Sequence, residues 1–369
     1  MKENVYNVVK GCALCLKNVW MLLFVCSLLA SCKDTDSSVK TFTLDKTDYE
    51  NWDNLFRVED AVALCGTDSN FVTYCSKCIV QQDRIYWVDY KTKSLYCFSP
   101  DGTLMQKIGE IGRATSEYSG IKDLIVDEAA NEVKILDDRG LVCYDAKTGK
   151  FLRRESFSSE NPSEYEHCCA VGNGSYLCVS SGNEYNIFLD TPDGQTGVRK
   201  NDAYNLVVET FYSYDNECRV LPGYGQFTID TYKDNTLVPT YQIDLGSNAL
   251  PDKYRPQTAD EFMKIDEMPE YFKCIVEAHE TKSWLQLQMV GPQQTYYTAF
   301  INKESGKYVC GPGMSGFQIV GGNGDGFYAV VYPGGLPEDS NMQQEIESKN
   351  LRDTTSPILV SLKLNETEM

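Results

Sequence analysis

Asp83-Arg84-Ile85-Tyr86-Trp87-Val88-Asp89, then Ser94-Leu95-Tyr96-Cys97-Phe98, then Pro100-Asp101-Gly102-Thr103-Leu104, decides the fold because it comes again downstream. The second copy reads Asn131-Glu132-Val133-Lys134-Ile135-Leu136-Asp137, Gly140-Leu141-Val142-Cys143-Tyr144 and Lys147-Thr148-Gly149-Lys150-Phe151-Leu152. From Asp89 to Asp137, Cys97 to Cys143 and Gly102 to Gly149 the period is about 47 residues. A looser third copy is Gly172-Asn173-Gly174-Ser175-Tyr176-Leu177-Cys178-Val179, Tyr185-Asn186-Ile187-Phe188-Leu189 and Pro192-Asp193-Gly194. Each copy is a strand, a short turn, a strand, an Asp-Gly or Thr-Gly turn and another strand, with Tyr, Val, Ile and Phe supplying the β preference. Repeats of this length, each of about four short strands, build a β-propeller, in which every blade covers the faces of its neighbours.

Further blades are expected near residues 204–246 and 272–310, and from 316–333 combined with 357–364. The expected fold is all-β: a six-bladed β-propeller of four-stranded antiparallel blades with two short helical insertions. The first insertion, Pro251 to Pro269, contains the capping box Thr258-Ala259-Asp260-Glu261. The second, Leu336 to Asp353, places Met342 and Ile346 on one helical face after Ser340. A ring leaves no free edge if its last blade is completed from the other terminus. Leu55 to Leu64 is therefore expected beside Ile358 to Leu364.

The chain has 369 residues, 53 acidic against 34 basic, and a formal charge of -19. Phosphate backbones repel such a body, so nucleic acid is not an expected partner. Lys2, Lys10 and Lys17 precede the apolar run from Val19 to Ala30, which is too short to span a bilayer and reads as a secretory signal over residues 1–31. The run ends Leu29-Ala30-Ser31-Cys32, which resembles a bacterial lipobox. On that reading Cys32 carries a covalent diacylglycerol and fatty acid, residues 32–45 form a lipidated tether, and residues 46–369 form the propeller. The expected location is the outer membrane, facing the periplasm or the cell surface. Eleven cysteines remain, an odd number that cannot all pair. Cys75-Ser76-Lys77-Cys78 has redox or zinc spacing, but it stands alone in a strand. Most of these thiols read as small buried hydrophobes.

Four stretches carry a family resemblance. They are Leu55-Phe56-Arg57-Val58-Glu59-Asp60-Ala61-Val62-Ala63-Leu64, Ile79 to Gly102, Gly109-Glu110-Ile111-Gly112-Arg113-Ala114-Thr115-Ser116-Glu117-Tyr118, and Ser356 to Leu364. They resemble the six-bladed β-propeller lipoproteins of Bacteroides-type bacteria, which are related in shape to NHL-repeat propellers. The third stretch has Ala114, Thr115 and Ser116 where the family has Gly-Pro-Gly. The resemblance implies a fold and an envelope location, and no general catalytic set.

Arg113, Glu117 and Tyr118 sit on a connection between blades and are the candidate ligand-binding residues, although Arg113 and Glu117 equally suit a salt bridge that fixes the turn. Asp89 and Asp137 recur at one blade position, where carboxylates bind calcium or, more commonly, accept backbone N–H bonds. The glycine clusters near 311–313 and 321–324 lack a following Lys-Ser/Thr and read as turns, and Gly-x-Ser-x-Gly is absent. No catalytic residue, metal site or cofactor is expected. The leading expectation is a monomer, attached to the membrane by its lipid, that binds a protein, peptide or glycan through rim loops or the central channel. The alternative is a metal-dependent propeller hydrolase or lyase with its site at the channel mouth, using His167 or His279, the only two histidines.

Overall fold

The computed structural model describes residues 39–369 apart from 68–71, 82, 160, 181–183, 202–209, 352, 354 and 369. The expected signal, Cys32 and the tether up to residue 38 lie outside the described residues. Blade 1 is Cys75–Val80, Ile85–Asp89, Ser94–Phe98 and Leu104–Ile108. Blade 2 is Asp123–Asp127, Glu132–Asp137, Gly140–Asp145 and Phe151–Glu155. Blade 3 is Tyr165–Gly172, Ser175–Ser180, Tyr185–Thr191 and Gly194–Lys200. Blade 4 is Phe211–Tyr214, Glu217–Val220, Thr228–Lys233 and Thr236–Asp244, and blade 5 is Cys274–Glu280, Trp284–Val290, Tyr296–Asn302 and Tyr308–Pro312. Blade 6 joins Phe317–Asn323, Gly326–Val331 and Ile358–Leu364 to Phe56–Ala63, which pairs antiparallel with the last of these as expected. The first strands of successive blades touch one another, and that of blade 6 touches that of blade 1. They form the wall of a central channel, and the six-bladed ring is closed.

The two middle strands of blade 1 are buried on both sides, and the two-residue period of a strand sends alternate side chains to opposite neighbours. Tyr86, Val88, Leu95 and Cys97 pack against Leu124, Val133, Ile135 and Val142 of blade 2. Ile85, Trp87, Tyr96 and Phe98 pack against Val330 and Leu359 of blade 6. The other four junctions each have their own apolar cluster.

Blade 4 carries a fifth strand, Lys40–Thr43, parallel to Thr236–Asp244, so the packed body begins ahead of the boundary expected at residue 46. The chain then straps across blade 5, where Tyr49 N–H donates to Cys310 O and Trp52 Nε1–H to Pro312 O, both at 3.0 Å. It makes one helical turn at Trp52–Leu55 before entering blade 6. The two expected helices are Ala259–Asp266 and Asn341–Glu347, and the hydroxyls of Thr258 and Ser340 accept the N–H groups of Glu261 and Gln343.

Antiparallel order fixes two unlike ends. Connections between first and second strands, and between third and fourth, lie at one end and run from 2 to 5 residues. Asn173 and Gly174, at φ 53° and 69°, form a two-residue hairpin of this kind. Connections between blades, and between second and third strands, lie at the other end and include 109–122, 245–273 and 332–357. We call this the loop end.

Removing residues 39–63 strips the fourth strand from blade 6 and bares the apolar cluster of Val331, Val360 and Leu362. The expected result is aggregation and loss of cooperative unfolding, read by size-exclusion chromatography and thermal circular dichroism. A monomer with a sharp transition would show that the ring closes without this strand.

Candidate functional site

The channel wall carries a polar belt on three successive inner strands. Lys77 Nζ of blade 1 lies 2.6 Å from Asp123 Oδ1 of blade 2. The other Asp123 oxygen accepts the Cys168 N–H of blade 3 at 2.9 Å and lies 3.6 Å from His167 Nδ1. Burial alone would raise the Asp123 carboxyl, but the Lys77 ammonium and His167 outweigh it and hold the group well below the usual carboxylate range. The second histidine, His279, sits on the inner strand of blade 5, with Nε2 at 3.1 Å from Glu277 Oε1. The sequence reading missed Lys77 and Asp123. Their separation of 46 residues, and that of 45 from Asp123 to Cys168, match the repeat.

At the loop end, the 109–122 turn is held from below. Asp137 is fully buried and accepts from Ser119 N–H, Arg139 N–H and the Arg154 guanidinium. Burial raises this carboxyl, and the Arg154 hydrogen bond with the two N–H groups brings it below its ordinary value. Arg139 donates to the carbonyls of Arg113 and Glu117 at 3.0 and 2.6 Å, and Arg154 to that of Glu117 at 2.7 Å. Arg113 points its side chain to solvent, and it forms no ion pair with Glu117 among the described residues. Glu117 instead accepts the Ala114 N–H at 2.9 Å. Tyr118 is buried in the junction of blades 1 and 2. Of the three candidate residues, only Arg113 is exposed, Glu117 being half-buried. Asp89 accepts from Thr73, Lys91 and Thr92 N–H groups, as turn aspartates do.

Among the described residues one group has the makings of a metal site: Glu132, Cys143 and Glu155. Lys134 lies within 3.8 Å of both carboxylates and Arg153 bridges them, so side-chain cations already occupy that position. None of the eleven cysteines after Cys32, all among the described residues, is joined in a disulfide. Hydrogen bonding with Cys78 and burial push the Cys75 thiol up, against the thiolate that metal or redox chemistry needs. A polar cavity of about 430 Å³ lies where the strap meets the second insertion. Its Asp53 and Glu345 carboxylates are used by the N–H groups of Asn341 and Val58.

Exposed apolar groups mark the loop end. Of eight large apolar side chains exposed among the described residues, Tyr74, Tyr90, Ile111, Met263 and Tyr296 are here. Val39 precedes the fifth strand of blade 4, and Met105 and Leu152 lie on the outermost strands of blades 1 and 2, each the second residue after a tight turn.

A closed ring of six blades, with one plain end and one decorated end, defines the molecule as a six-bladed β-propeller. The family model described as "Domain of unknown function (DUF4934)" matches residues 52–346, and the chain belongs to that family. Among solved structures it is similar to a Bacteroides fragilis protein assigned as exported, with 14% identity and a TM-score of 0.71 over 89% of this chain and 100% of that one. It is also similar to a member of the DUF4221 family from Bacteroides vulgatus, with 9% identity and a TM-score of 0.54 over 85% of this chain and 99% of that one. At these identities the likeness is one of fold. No curated protein matches the chain.

Lys77→Met would leave the Asp123 carboxylate buried without its ammonium. At neutral pH stability is expected to fall by about 3 kcal/mol in urea unfolding. Because Asp123 is depressed in the folded state, its contribution is present above about pH 4 and is lost as pH falls through the folded value. The gap between variant and parent should therefore narrow in acid; a gap independent of pH would show that the pair is not its source.

Proposed function

We propose that the chain is an exported propeller, anchored to the outer membrane by a lipid on Cys32, which binds a protein, peptide or glycan at its loop end and channel mouth without catalysis. The observation that carries this reading is the one-sided placement of Tyr74, Tyr90, Ile111, Met263 and Tyr296. Single exposed apolar groups are ordinary on a monomer, but their concentration at one end marks an interaction surface, and binding residues concentrate on loops held by a rigid frame. The exported relative in fold and the Leu29-Ala30-Ser31-Cys32 stretch support the address.

Two measurements test the reading. Cys32→Ser is expected to move the chain from the membrane to the soluble fraction, and mass spectrometry of the parent to find residues 1–31 removed; a variant that stays with membranes overturns the anchor. Crosslinking of whole cells is expected to capture a ligand that Tyr296→Ala with Met263→Ser loses, while substitutions at the tight-turn end retain it. Equal capture by both sets overturns the loop-end site. A metal-dependent hydrolase or lyase is the second reading, favoured by both histidines lying on inner strands beside carboxylates. Retention of a stoichiometric divalent ion, lost in His167→Ala or His279→Ala, would decide for it.

A further inference from the structure

The sector of the loop end around blade 1 differs from the rest in chemistry. Tyr74 is 53% exposed and Tyr90 59%, and the Tyr90 N–H donates to Tyr74 O at 2.7 Å. The Tyr74 ring lies 5.3 Å from that of Tyr332, whose hydroxyl accepts the Cys75 N–H at 2.9 Å. Each exposed ring has its own cation: Lys91 Nζ is 5.4 Å from the Tyr74 centroid, and Lys93 Nζ is 4.0 Å from that of Tyr90. Arg113 and Ile111 are exposed on the 109–122 turn, which leaves blade 1 at the same end. None of Lys91, Lys93 and Arg113 forms an ion pair among the described residues, and Asp89 beneath them is buried with its oxygens occupied by turn hydrogen bonds. On a chain of charge -19, Lys91 and Lys93 lie over tyrosine rings and pair with no carboxylate among the described residues, while the turn that bears Arg113 also carries Glu110, held by Lys107, and Glu117, held by the Ala114 N–H.

We propose that this sector is a docking surface for a uronate-bearing oligosaccharide. Tyr74 and Tyr90 stack on the C–H faces of sugar rings, and Lys91, Lys93 and Arg113 receive the carboxylates. The inference rests on the loop-end reading above and names its ligand class. Ring and cation are delivered together, which suits a ligand that alternates flat apolar faces with fixed negative charge. Peptide anchors seek desolvated pockets, whereas these rings are more than half exposed, each with a lysine ammonium over it. The surface is preorganised: Tyr74 and Tyr90 are tied through the backbone, and Arg139 fixes the turn that bears Arg113.

Calorimetric titration of the full chain in detergent with hexagalacturonate tests this, with maltohexaose as the uncharged sugar and hexaglutamate as the acidic peptide. Hexagalacturonate is expected to bind about tenfold or more tightly than either control, and more weakly as salt is raised. Tyr90→Ala and Lys93→Met are each expected to weaken it about fivefold, with thermal unfolding unchanged because both side chains are on the surface. No binding of hexagalacturonate, equal binding of maltohexaose, or a preference for hexaglutamate overturns the ligand class. If in that case Tyr90→Ala still loses the ligand captured in cells, the loop-end site stands with another ligand. If Tyr90→Ala changes neither titration nor capture, this surface falls, and if no loop-end variant alters capture, the broader reading falls with it.

Discussion

Burial on both faces of the blade strands governs this molecule. Ile85–Asp89 and Ser94–Phe98 are buried along their whole length, and no single partner can cover both sides of such a sheet. The apolar clusters accordingly lie between blades, one at each of six junctions, and no blade owns a core. Truncating a side chain such as Trp87 would cost about 3 to 5 kcal/mol, and that cost is shared by the two blades it holds together. Removing one blade would expose two faces at once. Closure is thus a condition of stability, and the pairing of Phe56–Ala63 with Ile358–Leu364 supplies it.

Polar groups cross the same junctions where the apolar contacts stop. Lys134 Nζ donates to Tyr176 Oη at 3.0 Å, and that hydroxyl donates to Glu155 at 2.7 Å, linking blades 2 and 3. Glu280 of blade 5 accepts from Tyr241 and Arg219 of blade 4 at 2.6 and 3.2 Å, and from Lys303 at 2.8 Å. Buried charges add little net stability over apolar packing, but a missing partner is costly. Each network therefore penalises a wrong register between neighbouring blades, which apolar contacts tolerate more readily.

Much of this was legible in the sequence because it is local or periodic. The 47-residue period aligned blades 1 to 3, and Thr258 and Ser340 marked both helix starts. The strand Lys40–Thr43 was not legible: Phe42 and Leu44 are buried against a strand about 200 residues away, and nothing nearby signals it. The carbonyls of the Gly112–Ser119 turn are held by Arg139 and Arg154 from blade 2, a long-range contact that the turn's own residues do not announce. Lys77 and Asp123 each looked like one charge in a strand, and their pairing appears only when neighbouring blades are set side by side. The β preference that tyrosine supplies sets Tyr86, Tyr96 and Tyr144 in strands whose faces are buried; Tyr74, Tyr90 and Tyr296 differ because they stand just outside or at the ends of strands.

The strap has a consequence for the order of assembly. Residues 40–43 dock on a strand that ends at Asp244, and residues 56–63 on one that ends at Leu364. Residues 40–43 therefore find their partner only after Asp244 has been made, and residues 56–63 only after Leu364. Such distant pairing is slow to form, since the entropy of closing the intervening loop must be met before any contact repays it. A ring closed by two segments this far apart keeps one seam open until both have been made.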